Sequence, residues 1–281
     1  MVPQVSRRRS RSVRHDEDDE KSGVREIDRI APEHIGLQLH SVKEDAKRDL
    51  AGTLSTISQI GYANVEFAGY YGHEAQVVRD LLVRFDLLAP SAHVPLSLVR
   101  NDLQRAISGA SVLKHQYLIL SSFHPEIPAT VAQFREMAKY LNRIGMECAD
   151  HGVQFGYHTH ADEFRRLDGI IPFRILLDET DPELVVMQID TYWAVRGGAD
   201  PTEFFRQYPG RFPLLHVKDI AKSPGINSVP VGSGRIDWSR LLAAATAAGT
   251  KHVIVEQEHF DHNPMDCLRE SFIFLKNVRL S

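Results

Sequence analysis

Ionisable side chains follow short apolar runs at several points of the chain. Asp190 and Glu256 each end such a run, and His216 and Lys218 alternate with apolar neighbours. Successive side chains of a β-strand point to opposite faces, so these polar residues share one face of their predicted strands. Carboxylates that converge there repel one another and become protonated unless a cation lies among them. Mixed histidine and carboxylate donors are typical ligands of Mn, Zn, Co, Fe or Mg, whereas calcium prefers oxygen alone.

Further polar residues occupy the same face of their predicted strands, which we call the inner parity, near the ends of other apolar runs. Gln38, Glu66 and His93 oppose apolar neighbours in three early runs, and His158 and His160 do so in a later one. One buried polar residue of this kind is easily explained by a local hydrogen bond. The repetition at nearly every predicted strand end instead indicates a shared polar site that binds one divalent metal ion.

The elements that position these residues alternate regularly along the chain. Apolar runs predict eight strands, at 35–39, 64–68, 87–94, 117–121, 153–158, 184–190, 212–218 and 252–257. Stretches with apolar residues at helical spacing lie between them, including 50–60, 77–85, 97–113, 134–144, 172–179, 201–207, 241–248 and 267–278. This alternation over about 245 residues predicts a single (β/α)₈ TIM barrel, in which active sites form at the carboxyl ends of the strands. An open doubly wound sheet is the alternative, but no Gly-x-Gly-x-x-Gly follows the first strand.

Composition limits the possible partners. The chain has 281 residues, a net charge of −4 and 43% apolar residues, so nothing indicates a nucleic-acid partner. No apolar run approaches the roughly 20 residues of a membrane span, so no membrane partner is expected. The two cysteines, Cys148 and Cys267, make no disulfide framework, and a cytoplasmic location is expected. Residues 1–30 carry a basic run followed by an acidic one and predict a disordered charged tail, which leaves 31–281 for the barrel.

From Ile35 onward the chain resembles the sugar phosphate isomerase/epimerase family, also described as xylose isomerase-like or endonuclease IV-like TIM barrels. The segments that carry this resemblance are Gly36-Leu-Gln-Leu-His-Ser-Val42, Val65-Glu-Phe-Ala-Gly-Tyr-Tyr-Gly72, Ser91-Ala-His93, Gly156-Tyr-His-Thr-His160 with Glu163-Phe164, Asp190-Thr-Tyr-Trp193, Leu215-His-Val-Lys-Asp219, Val231-Gly-Ser-Gly-Arg-Ile-Asp-Trp238 and Val255-Glu-Gln257. Together these segments are specific for a family and a fold, but they do not specify a substrate.

The resemblance implies four metal ligands from four strand ends. Asp190, His216 and Glu256 match three of the family's ligand positions. The fourth is usually a glutamate on the fifth strand, where this chain has His158, with His160 or Glu163 as alternatives. Epimerases of the family use the glutamates of strands five and eight as an acid/base pair. A histidine on strand five rules out an unchanged copy of that mechanism.

The expected chemistry follows from a metal beside a carbonyl group. Such a metal lowers the pKa of the neighbouring C–H, and a base then produces an enediolate. The candidate bases are Glu256, Glu66 and His160. Lys218 either stabilises the enolate oxygen or is a structural counter-ion to Glu66 or Asp190. The residues expected to contact the substrate are His93, Gln38, Trp193 and Glu163.

The first hypothesis for function is a metal-dependent isomerase or epimerase of a sugar or polyol that acts through this enediolate. The alternative is a lyase or dehydratase of a keto-sugar or keto-inositol at the same site. A non-catalytic metal-binding barrel or a DNA-repair nuclease is less favoured, since a nuclease needs further ligands and a basic face. The Gly232-Ser-Gly234 loop either holds a phosphate or forms a turn, and we favour the turn. A non-phosphorylated substrate is expected, and a homo-oligomer is one hypothesis for the assembly.

Overall fold

Eight parallel strands close into a barrel in the computed structural model, which describes residues 29–124 and 126–281. The strands are β1 (Ile35–Gln38), β2 (Asn64–Phe67), β3 (Leu88–Val94), β4 (Tyr117–Leu120), β5 (Gln154–His158), β6 (Val185–Asp190), β7 (Leu214–Val217) and β8 (His252–Val255). Each bound lies within two residues of the predicted one. Each strand pairs with its neighbours in chain order, and β8 pairs with β1. The predicted TIM barrel is confirmed, and the open sheet is excluded.

Helices surround the barrel on its outer side. They are α1 (Lys43–Arg48), α2 (Leu50–Ile60), α3 (Ala75–Arg84), α4 (Leu96–Asn101), α5 (Leu103–Leu113), α6 (Val131–Ala149), α7 (Pro172–Glu179), α8 (Thr191–Arg196), α9 (Pro201–Gln207), α10 (Trp238–Ala247) and α11 (Pro264–Asn277). The helix predicted over 97–113 is two helices, because Asp102 leaves helical geometry at φ −160° and its side chain caps α5 at the amide of Arg105. The short helices α1 and α8 were not predicted.

The barrel interior has an apolar floor and a polar upper part. Five buried residues on the inner parity of their strands form a cluster of their own, separate from the large core between barrel and helices: Tyr117, Ile119, Val186, Leu214 and Ile254. His216 pairs in register with Asp190 of β6 on one side and with Ile254 of β8 on the other. The polar residues at the carboxyl ends of the strands therefore lie above this floor at one end of the barrel.

The predicted tail falls almost entirely outside the described residues, which begin at Arg29. Ile30 was assigned to the tail, but its side chain is 7% exposed and belongs to the main core. No helix in the described part of the chain is both long enough and apolar enough to cross a membrane.

Candidate active site and metal centre

Four buried side chains converge at the carboxyl ends of the barrel strands. His158 ends β5, Asp190 ends β6, His216 lies in β7, and Glu256 follows β8. Each offers one donor atom, and these four atoms all lie within 4.8 Å of one another. The structure thus brings together the four residues that the sequence predicted as metal ligands.

Asp190 directs one carboxylate oxygen at its own helix and the other into the cluster. Its Oδ1 accepts a hydrogen bond from the Trp193 amide at 2.9 Å, which caps α8. Its Oδ2 is buried and has no hydrogen-bond partner among the described residues. Burial raises the pKa of Asp190 to about 7, although Lys218 acts in the opposite direction. A buried, unpartnered carboxylate oxygen fits a bound cation.

The two ring nitrogens of His216 face different carboxylates. Its Nε2 lies 2.6 Å from Oε1 of Glu66, and its Nδ1 lies 3.3 Å from Oε2 of Glu256 and 4.0 Å from Oδ2 of Asp190. Burial alone lowers the pKa of His216, but Glu66 and Glu256 raise it to about 10. Positive charge is therefore strongly favoured between these carboxylates. A proton on Nε2 donated to Glu66 leaves Nδ1 as the donor atom for a metal.

His158 is oriented in the same manner by a neutral partner. Its Nδ1 lies 2.9 Å from Oε1 of Gln188. Burial lowers the pKa of His158 well below its ordinary value, and the neighbouring His216 and His93 lower it further. The ring is therefore neutral. A proton on Nδ1 leaves the Nε2 lone pair free for coordination. The imidazole and carboxylate donors of Asp190, His216 and His158 together fit a divalent transition metal.

Glu66 lies below the cluster as the centre of a hydrogen-bond network. Its two oxygens are approached within 3.1 Å by five side chains, those of Gln38, Ser91, His93, Gln188 and His216. Burial alone raises the pKa of Glu66, but His93 and His216 hold it well below its usual range. Glu66 was a candidate base, but neither oxygen is free for a substrate. The position of Glu66 instead suits a residue that orients the His216 ring.

Lys218 is fully buried beside the site. Its Nζ lies 2.8 Å from Oε1 of Glu258 and 3.5 Å from Oε2 of Glu256. It also lies 5.1 Å and 5.2 Å from the ring centroids of Tyr192 and Trp193. Burial alone lowers the pKa of Lys218, but the surrounding carboxylates raise it above its ordinary value. The expected counter-ions were Glu66 or Asp190, whereas the ion pairs in the structure are with Glu256 and Glu258.

A cavity of about 410 Å³ opens directly above the cluster. Its lining comprises His40, Ala68, Gly69, His93, Pro95, Ser121, Ser122, His158, His160, Trp193, Glu256 and Glu258. Among the residues expected to face the substrate, His93, His160 and Trp193 lie in this lining. The His160 ring lies 5.6 Å from the Trp193 ring, and its Nδ1 is buried without a hydrogen-bond partner in the described structure.

Two predicted substrate contacts lie elsewhere. Glu163 accepts hydrogen bonds from the Tyr157 hydroxyl and, at 2.9 Å, from the His160 amide, so it holds the turn after β5 and does not line the cavity. Gln38 donates to Glu66 at 2.7 Å and is fully buried below the cavity floor. Both carry the expected polarity, but their hydrogen bonds are already satisfied within the protein.

Sequence reasoning assigned no role to several residues that complete the site. Gln188 and Glu258 share the inner parity of Asp190 and Glu256, two positions away, so strand periodicity was a usable signal for both. Ser91, which donates to Glu66, carries no charge and gave no comparable signal. His40 lines the cavity from the turn after β1, where parity no longer applies.

The glycine-containing loop after β7 is held by a single carboxylate. Asp219 accepts hydrogen bonds from the amides of Gly232 and Gly234 at 3.0 and 3.1 Å, and from Nε1 of Trp238 at 2.8 Å. These amides are the donors that a phosphate would need. Because Asp219 occupies them, the geometry supports the turn rather than the phosphate cradle.

Comparison with known proteins agrees with this architecture. An inosose dehydratase from Mesomycoplasma hyopneumoniae (strain 7448) is 23% identical over 264 residues, covering 80% of this chain and 87% of that protein. The inosose dehydratase of Geobacillus kaustophilus (strain HTA426) is 31% identical over 189 residues, covering 59% and 61%. The crystal structure of a sugar phosphate isomerase/epimerase from Parabacteroides distasonis shares the fold, with a TM-score of 0.76 at 23% identity over 88% of this chain and 94% of that one. A sequence profile of the xylose isomerase-like TIM barrel matches residues 39–278. The chain therefore belongs to the xylose isomerase-like TIM barrel family.

Proposed function

We propose that the protein is a divalent-metal-dependent enzyme that removes a proton from the carbon beside the carbonyl group of a keto-sugar or keto-polyol. The observation that carries this proposal is the cluster of His158, Asp190, His216 and Glu256 at the floor of a cavity large enough for one sugar ring. These four residues would hold the metal. When bound, the metal supplies a Lewis acid that makes the C–H beside the carbonyl more acidic.

His160 is the base in this proposal. Its ring lines the cavity, and its buried Nδ1 has no hydrogen-bond partner among the described residues, so the protein does not engage this nitrogen. The five side chains that approach the oxygens of Glu66 argue against this role for it, and Glu256 belongs to the metal cluster. Glu163 holds the His160 amide and so fixes the start of the turn that carries this ring.

Lys218 stabilises the negative charge that develops on the substrate oxygen. Its ammonium group is buried beside the cavity, where Glu256 and Glu258 hold it over the rings of Tyr192 and Trp193, so its position is fixed before substrate binds. Trp193, which lines the cavity, offers an apolar surface to the C–H face of a sugar ring.

Loss of a β-oxygen, that is dehydration, is the outcome we favour after proton removal. Relatives that match most of the chain are inosose dehydratases, which supports this choice. In addition, the fifth strand ends in His158, so only the strand-eight member, Glu256, remains of the glutamate pair that the family resemblance implies for epimerisation. Isomerisation and epimerisation share the same first step and would leave the mass of the substrate unchanged.

Product mass separates these outcomes. The Mn²⁺-loaded protein is incubated with a panel of keto-sugars and inososes, and products are followed by mass spectrometry in H₂O and in D₂O. Dehydration gives a product lighter by one water, whereas isomerisation or epimerisation in D₂O gives a product that has gained deuterium. If no member of the panel loses water or exchanges a carbon-bound proton, the proposed function is wrong.

A further inference from the structure

A second cavity of about 600 Å³ adjoins the catalytic one. It lies between the loop after β2 and helices α4 and α5, and we call it the side lobe. Gly69, His93 and Pro95 line both spaces, so the lobe opens beside the catalytic cavity rather than on a separate face. A Cβ placed on Gly69 would meet no atom within 4 Å, so there is free space beside this shared lining residue.

The wall of the side lobe is mainly apolar. Val94, Leu98, Ala106 and Val112 contribute aliphatic side chains to it, and Val112 is 37% exposed. The charged residues of the lobe, Arg105 and Glu74 among them, include both signs, so it has no cationic clamp for a phosphate. Aliphatic walls of this kind stabilise an apolar group more than a second, heavily hydroxylated sugar.

Tyr70 gives the lobe a fixed aromatic wall. Its hydroxyl lies 3.3 Å from Nε2 of His115, and its ring packs edge-on against Phe67 with 5.7 Å between centroids. A Cβ at Gly109 of α5 would lie 2.8 Å from the Tyr70 hydroxyl, so glycine is what allows this ring to lie against the helix. The lobe is therefore shaped in advance rather than formed by mobile side chains.

From this geometry we propose that the substrate carries an apolar ring substituent, such as an aryl aglycone, which binds in the side lobe while the sugar ring lies above the metal cluster. The inference rests on the proposed function, because that function places the sugar in the catalytic cavity. The 410 Å³ cavity already accommodates a single sugar ring, so the adjoining 600 Å³ is available for another part of the same molecule. An aromatic ring matches both the aliphatic wall and the Tyr70 face.

Binding of unreactive glycosides tests the lobe without any need for turnover. Phenyl and methyl β-glycosides of glucose, galactose and mannose are titrated into the Mn²⁺-loaded protein by calorimetry. We expect the phenyl member of at least one pair to bind about tenfold more tightly than its methyl partner. Ser108 is exposed and lines the lobe, so Ser108→Trp fills the lobe from its rim and abolishes the difference.

Ser111→Trp is the matched control, because Ser111 is exposed on the same helix but does not line the lobe. It should preserve the phenyl preference. Equal or undetectable binding of both members in all three pairs overturns the proposal, as does a preference that survives Ser108→Trp. A phenyl preference without turnover of any keto-sugar would contradict the proposed function alone. Turnover without the preference would contradict the side lobe alone.

Discussion

Oε1 of Glu66 lies 2.6 Å from Nε2 of His216, and this contact turns Nδ1 of the same ring towards Glu256 and Asp190. A carboxylate behind a histidine fixes its tautomer and increases the basicity of the ring nitrogen that coordinates a metal. Glu66 is thus the residue through which the buried network below the site would control the metal centre above it.

Substitution of Glu66 tests this control. Glu66→Gln keeps the shape of the side chain but removes the charge that His216 faces, so we expect Mn²⁺ affinity to fall roughly 10- to 100-fold. Calorimetric titration of the apoprotein measures this change. Glu258→Gln is the control, because Glu258 lines the cavity but lies outside the ligand cluster, and its affinity should stay near that of the unmodified protein. Unchanged affinity in Glu66→Gln would remove the positioning role.

The two histidines after β5 should have different phenotypes. His158→Ala removes one of the four clustered donors, so the protein should lose stoichiometric metal binding. His160→Ala should retain the metal and lose turnover or substrate affinity, because His160 lines the cavity but is not a member of that cluster. Elemental analysis and steady-state kinetics on the same samples separate the two effects. Reversed phenotypes would show that His160 is the ligand, and metal retention in both variants would contradict the His158 assignment.

Lys218→Met tests the stabilisation of charge on the substrate oxygen. The methionine occupies a similar volume without the ammonium group, so we expect kcat to fall by roughly 10²–10³ while the metal content stays the same. Glu258→Gln weakens only the ion pair at 2.8 Å and should cost much less activity. A kcat in Lys218→Met close to that of the unmodified protein would assign Lys218 a purely structural role.

Asp219 is expected to matter for stability rather than for chemistry. Asp219→Ala leaves the amides of Gly232 and Gly234 and the Trp238 indole without their acceptor, at a cost on the order of 3 kcal/mol. Chemical denaturation measures this loss, and the exposed Asp150→Ala is the control with little expected effect. Unchanged stability in Asp219→Ala would contradict this structural role of Asp219.

Strand periodicity in the sequence predicted the fold and many of the site residues. Alternation predicted which side chains face the barrel axis, and the structure brings His158, Asp190, His216 and Glu256 together from four such strands. Alternation along a strand determines which face of the sheet a side chain occupies, but not how deep it lies along the barrel axis. For this reason Glu66, paired in register with Gln38 and Ser91, was expected at the substrate although it lies beneath the ligands.

Turns set a second limit on what the sequence could predict. Glu163 follows β5 by five residues, and beyond the end of a strand the direction of a side chain depends on local hydrogen bonds rather than on alternation. Its bonds to Tyr157 and the His160 amide draw it out of the cavity. The side lobe likewise arises from the packing of α4 and α5 against the loop after β2, which no single segment encodes.

The metal content of the protein is the most direct test of the whole account. Apoprotein prepared with a chelator is dialysed separately against Mn²⁺, Zn²⁺, Co²⁺ and Fe²⁺, and bound metal per chain is measured by elemental analysis beside the Asp190→Ala variant. We predict one tightly bound ion per chain for at least one of these metals, and its loss in the variant, because Asp190 contributes the buried oxygen that has no partner in the described structure. Failure to retain any of the metals, or full retention in Asp190→Ala, would contradict the metal centre and the chemistry proposed from it.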